Sequence, residues 1–153
     1  MFTAEKAFAA EKDKYSTQVG QVGFSPERNN RYAYFANATV VSMETRGAVA
    51  PVATATDEGV EYDSFKYGTV APWAGMNAPI ATLPCGGTPG VNATNTDWTG
   101  AAKGQIDNDA TFDVWSIATA TRDYRAAAAA TCANGGNTNP GGEPNVETND
   151  VNQ

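Results

Sequence analysis

Thr3-Ala4-Glu5-Lys6-Ala7-Phe8-Ala9-Ala10-Glu11-Lys12-Asp13-Lys14-Tyr15 is the one good helical stretch of the chain, and it stands before every strand signal. Ala4, Phe8 and Tyr15 fall near one face with the stem of Lys12, while Glu5, Lys6, Glu11, Asp13 and Lys14 mix both signs over the surface. Ser16-Thr17 and Gly20 end the pattern at about residue 16. No Ser, Thr, Asp or Asn precedes it as a cap, so the helix starts in mid-course. That suggests a chain cut from something longer, with Met1 as an added start, against the plainer reading of a frayed natural terminus.

Outward from the helix the signals change period. Gly23-Phe24-Ser25-Pro26-Glu27 is a turn, because Pro26 excludes helix at Ser25. Arg31 to Val41 begins with alternating aromatics at Tyr32 and Tyr34, a strand signal. Val60 to Tyr67 alternates better and is a second strand candidate, with Glu61, Asp63 and Lys66 on its polar side. Ala110 to Ala118 is the clearest strand, with Phe112, Val114, Ser116 and Ala118 on one face and Asp113, Trp115 and Ile117 on the other. Helix first and strands after, segregated along the chain, predict an α+β fold, a helix packed on a small antiparallel sheet.

Between these elements lie long loops. Tyr67 to Thr96 runs thirty residues without a charge and is rich in Gly, Pro, Ala and Thr. A loop of that length is functional or tied down, and Trp73, Leu83 and Cys85 are its natural pins. Ala126 to Ala130 favours helix but is too short to hold one alone. Residues 133–153 are mostly Asn, Gly, Thr and Pro with no aromatic side chain, which predicts a loose polar tail. Residues 22–132 are then sheet and loops, and the whole 1–153 is one domain.

Composition narrows the chemistry. Ten basic and 17 acidic residues give a net charge of −7, which argues against a broad nucleic-acid grip. The absence of histidine excludes Ser-His-Asp and Cys-His triads and histidine metal sites. Only 22 of the 153 residues are Leu, Ile, Val or Phe, below the roughly 20% under which a charged chain tends to disorder. Fifteen aromatic residues compensate, each burying a large area. No run of 18 apolar residues and no signal peptide is present.

The candidate sites are few. Cys85 and Cys132 form a disulfide if the protein is exported and remain free thiols if it is cytosolic. Asp107, Asp109 and Asp113 place carboxylates at spacings a calcium ion accepts, but the segment lacks the glycine and distal Glu of an EF-hand. A turn whose Asp and Asn side chains bond their own backbone is the simpler reading, and no other cofactor motif occurs. Asn37-Ala38-Thr39 and Asn92-Ala93-Thr94 match the glycosylation sequon, a pattern that arises by chance in an Asn/Thr-rich chain. The carboxylate pairs Asp57-Glu58 and Glu61-Asp63 are expected on a solvated surface, and no catalytic set is found.

Three stretches carry a family resemblance, covering about 50 of the 153 residues. Phe2 to Ser16 resembles the end of the long first helix of type IVa pilins. Val22-Gly23-Phe24-Ser25-Pro26-Glu27-Arg28-Asn29-Asn30-Arg31-Tyr32-Ala33-Tyr34 resembles the "GF-x-PERGNRY-x-Y" stretch of one branch. Gly100 to Ile117 resembles that family's last core segment, "GN-x-D-x-DAT-x-D-x-W-x-I". Asn29 stands where the branch usually has Gly, a left-handed position that Asn tolerates.

The resemblance implies the globular part of a type IV pilus subunit, without the leader, processing site and hydrophobic half-helix of the family. It implies a pilin-like fold, the C-terminal part of a long N-terminal helix on the sheet, with Ala4, Phe8 and Tyr15 on the face turned to the filament core. It implies other pilin subunits and the pilus assembly machinery as partners, through an apolar helix that would also be the membrane contact. Cys85 and Cys132 would bound a family-like disulfide region. The expected role is structural and not enzymatic: an extracellular, cell-surface filament of a Gram-negative bacterium that drives twitching motility and adhesion. A pseudopilin of a type II secretion system is the nearest alternative, favoured by a calcium loop near the last strand. An extracellular carbohydrate- or surface-binding module is the other, with Trp73, Trp98 and Trp115 as a stacking platform, although Trp115 reads as core.

Overall fold

The computed structural model describes residues 1–124, 132 and 138–149. Helix α1 (Phe2–Lys12) starts at Met1 with no side-chain cap and ends at Asp13, whose left-handed backbone (φ 55°) lets its N–H reach the Ala9 carbonyl. The chain then doubles back along the helix. Ser16 N–H donates to Glu5 Oε2, and Tyr15 N–H donates to Asn95 Oδ1.

The strands follow as β1 (Tyr32–Phe35), β2 (Met43–Glu44), β3 (Gly59–Val60), β4 (Gly90–Val91), β5 (Trp98–Gly104), β6 (Asp113–Ala118), β7 (Arg122–Asp123), β8 (Thr138–Asn139) and β9 (Asn145–Thr148), with a single helical turn, α2 (Ser64–Tyr67), after β3. The main sheet has seven strands in the order β2-β3-β1-β5-β6-β9, with β4 also on β5, and β7 pairs with β8 apart from it. Its pairs are antiparallel except β2 with β3, which is parallel. The α+β expectation holds, with that one parallel pair added.

The sheet has two covered sides. On one, Ala33, Phe35 and Ala101 pack against Ile80 and Leu83 of the long loop. On the other, Ala36, Val60 and Trp98 pack against Val19 with Met1, Phe2, Tyr34 and Ile117 around them. The expected alternation along β6 is visible here, since Val114 joins the loop side and Ile117 the helix side. Trp73, Leu83 and Cys85 are buried, as pins of the uncharged loop should be.

Several expectations are corrected. The first strand stops at Phe35, after which Ala36 N–H turns to the Glu58 carbonyl and the chain bends. Of the Val60–Tyr67 candidate only Val60, the last residue of β3, is strand, because the Asp63 side chain accepts the Lys66 N–H and caps α2. The clearest strand begins at Asp113, since Asp109 Oδ1 accepts the Thr111 N–H and holds the residues before it in a turn. Trp115 is 37% exposed and is not core, because it lies with Phe2 and Ile117 on the wall of an open apolar cleft. Within the expected polar tail, residues 138–149 carry β8 and β9, with Asn145 and Glu147 buried. Residues 126–130, 133–137 and 150–153 lie outside the described residues. Strand β5, central to the sheet, had no signal of its own.

Candidate functional site

Helix α1 sits on the sheet by its first turn and by one acid. Ala4, Phe8 and Tyr15 are all half-buried, whereas Glu5 is the helix residue fully withdrawn from solvent. Register places Tyr34, Ala102, Trp115 and Val146 in one row across β1, β5, β6 and β9. Tyr34, Ala102 and Trp115 of that row, with Met1, Phe2 and Ile117, line an apolar cleft beside the start of the helix. Such a surface offers apolar contact area.

The residues between Ser25 and Lys66 form a hub of buried charge. Arg46 is 1% exposed. Its Nε donates to Glu44 Oε1 at 2.9 Å, and its terminal nitrogens donate to the Pro26 and Glu27 carbonyls and to Asn30 Oδ1. Its own N–H donates to Glu61 Oε2. Arg46 follows the end of β2 two residues after Glu44, and that spacing was the available signal for the pair.

Arg28 grips Asp63 with two nitrogens, Nε to Oδ2 at 2.8 Å and a terminal nitrogen to Oδ1 at 2.6 Å. Burial alone would raise the Asp63 carboxyl. The Asn29 and Lys66 amides and the Arg28 guanidinium outweigh it and hold the group below the usual carboxylate range. Asp63 and Asp57 were expected on a solvated surface and are instead buried. Asp57 accepts from Ser42 Oγ and from the Thr54 N–H, so its charge is satisfied inside the fold.

The long loop is attached by different chemistry. Trp73 stacks on Tyr67, ring centres 4.5 Å apart, and on Tyr62 at 5.3 Å, with buried Met76 beside them. Arg31 lies over both the Tyr67 and Trp73 rings. Lys103 Nζ donates to the Gly75 and Ala78 carbonyls, and burial lowers its pKa.

At the far end the loop is tied covalently. Cys85 and Cys132 are joined, with Cα atoms 5.3 Å apart. The Cys85 N–H donates to Glu147 Oε2 at 2.7 Å, and Glu147 Oε1 receives Ser116 Oγ, Arg122 and Asn145. The buried Glu147 thus holds β9 against β6 and the disulfide together. Nothing in a polar C-terminal sequence marked it, since its donors come from as far as 62 residues away.

The calcium candidates are not gathered. Asp107 is exposed, Asp109 accepts from the Thr111 amide and hydroxyl, and Asp113 is buried at the start of β6. Among the described residues no three acidic or sulfur side chains form a set that would hold a metal. Trp73 and Trp98 are buried, so the three tryptophans form no common platform. In the two sequons, Asn37 Nδ2 donates to Glu58, and Asn92 Nδ2 donates to Thr96 and Asp97.

A family profile described as type IV pilin PilA matches residues 1–113. That span holds α1, the charge hub and the uncharged loop, and ends at the first residue of β6. The type IV major pilin protein PilA of Myxococcus xanthus (strain DK1622) is 35% identical over 130 residues, covering 77% of this chain and 59% of that protein. The chain therefore spans less than two thirds of that relative's length.

Proposed function

Because this chain belongs to the type IV pilin PilA family, we propose that it is the globular part of a structural subunit of a type IV pilus. The observation that carries the reading is the family match over residues 1–113, whose resemblance-bearing stretch is the one built into the hub: Arg28 on Asp63, Arg31 over Tyr67 and Trp73, and Asn30 to Arg46. The identity to a major pilin of Myxococcus xanthus supports the same role and is compatible with surface motility.

In this reading subunits join through helical segments continuous with α1, and the domain faces outward on a cell-surface filament of a Gram-negative bacterium. A net charge of −7 keeps such a shaft solvated and self-repelling along its sides. The disulfide and the buried ion pairs hold an extracellular domain whose aliphatic core is small.

The test is direct. Filaments sheared from cells that carry this gene are digested without reduction and mapped by mass spectrometry. Peptides of this chain should dominate, including one linked through Cys85 and Cys132. A filament fraction without them would remove the major-subunit reading. Deletion of the gene should abolish piliation and twitching, and retention of both would remove it independently.

A further inference from the structure

We propose that Glu5 is an acid-operated clamp, a fully buried carboxyl that fastens α1 to the sheet while protonated and loosens it when ionised. The inference goes beyond the filament role and does not rest on it. Glu5 is 0% exposed and is the buried residue of α1. Its Oε2 accepts one hydrogen bond, from the Ser16 N–H at 3.3 Å, and its Oε1 is enclosed with no partner among the described residues. A carboxylate so placed is a charge out of water with one long hydrogen bond, and a neutral carboxyl in the same place costs much less.

Apart from one nearby cation, the surroundings offer the carboxylate little. One turn back on the same helix lies the Met1 ammonium, which attracts the carboxylate. Lys6 is turned outward, its Nζ donating to Tyr15 Oη. On the returning chain Ser16 offers an amide and Thr17 donates away, to Glu58 Oε1. Beyond it, the Asp57 and Glu58 carboxylates are engaged by Ser42, Thr54, Asn37 and Val41. From the sheet come Val60 and Trp98, whose buried indole N–H also has no partner among the described residues. Tyr34, in the same cluster, is held neutral by burial.

Burial is the largest influence on Glu5 and raises its pKa from 4.5 to about 7, against smaller lowering from the Ser16 amide and the Met1 ammonium. The sign follows. A carboxyl whose pKa is raised on docking supports docking fully below 4.5, and that support is lost as pH rises through about 7. The Met1 and Phe2 contacts remain at every pH, so the helix loosens without the sheet dissolving.

Two measurements on the 153-residue protein test this. The first follows the Glu5 carboxyl carbon by NMR across a pH series in the wild-type protein. A midpoint near 7 is expected, and one near 4.5 overturns the proposal. Acetylating the Met1 amine should move that midpoint further up, and a fall to the ordinary carboxylate range overturns it. The second follows amide exchange in α1, corrected for intrinsic rate, with β5 as the reference. Protection of α1 should drop about tenfold or more between about pH 5 and about pH 7, while β5 stays level. Glu5→Gln keeps an oxygen for the Ser16 amide and should flatten the α1 response; an unchanged slope in that variant overturns the clamp. Should Glu5→Gln not fold, the wild-type titration decides alone.

Discussion

Between Ser25 and Lys66 the chain is held by charge, and between Tyr67 and Cys85 by apolar and aromatic side chains. The first stretch buries Glu44, Arg46, Asp57 and Asp63 and satisfies each with directed bonds. The second carries no charge and buries Trp73, Met76, Ile80, Leu83 and Cys85. The two meet where Arg31 lies over the Tyr67 and Trp73 rings. A directed network fixes geometry but fails sharply when one member is lost, because the remaining charge is stranded. Apolar pins fail in proportion to the volume removed.

The largest expected effect therefore lies in the hub. Arg46→Ala strands the buried Glu44 carboxylate and the Pro26 and Glu27 carbonyls, and should cost about 4 kcal/mol in urea unfolding. Adding Glu44→Leu removes the stranded charge but leaves both carbonyls orphaned, so recovery should be partial. Complete recovery would show that the ion pair alone mattered and would break the distinction from the loop.

Leu83→Ala is the matching test of the loop. Leu83 is 1% exposed against Phe35 and Ala101, and the truncation should cost about 3 kcal/mol as lost transfer energy plus a cavity. The cost should be the same at neutral and mildly acid pH, since Ala33, Phe35, Ile80, Leu83 and Ala101 carry no titrating side chain. A pH-dependent cost would mean that the loop is coupled to the hub through Arg31.

What was legible follows the same division. The helix, the pins of the loop and β6 announce themselves through apolar period or large side chains. Strand β5 did not, because Gly100, Ala101, Ala102 and Gly104 carry little strand preference. Two of those glycines answer to neighbours: a Cβ at Gly100 would strike the Trp98 ring and Met1, and one at Gly104 the Tyr32 ring. The buried charges were equally hidden. Glu5 and Glu147 look like surface residues until their partners, from another part of the chain, are in place, whereas the Glu44–Arg46 pair shows only as a two-residue spacing. Strand β9 is the extreme case, a polar segment ordered by one carboxylate.

Acid should separate the two stretches further. The Asp63 carboxyl is held below its usual range by the Asn29 and Lys66 amides and by Arg28, against the opposing effect of burial. A lowered folded pKa contributes stability above the ordinary carboxylate value, lost as pH falls through the lowered one. Exchange protection around Asn29 and α2 should therefore drop in strong acid, while the amides of the Leu83 turn hold. Asp63→Asn should remove that response.

The smallest effect tests the turn that carries Arg28 and Arg31. Asn29 has φ 70°, a left-handed backbone, and its N–H donates to Asp63 Oδ2 at 2.8 Å. Glycine, the residue usual at this place in the branch that the sequence resembles, adopts that conformation without a Cβ penalty. Asn29→Gly keeps the N–H and the geometry, so stability should change by only a few tenths of a kcal/mol. Asn29→Val keeps the N–H but forces a β-branched side chain to positive φ, at about 1–2 kcal/mol. Because the turn aims Arg28 at Asp63, the valine variant should also weaken the acid response of the hub, whereas the glycine variant should not. Equal stability of the two variants would mean that the turn has moved off its left-handed backbone, and that the Arg28–Asp63 pair holds the hub without it.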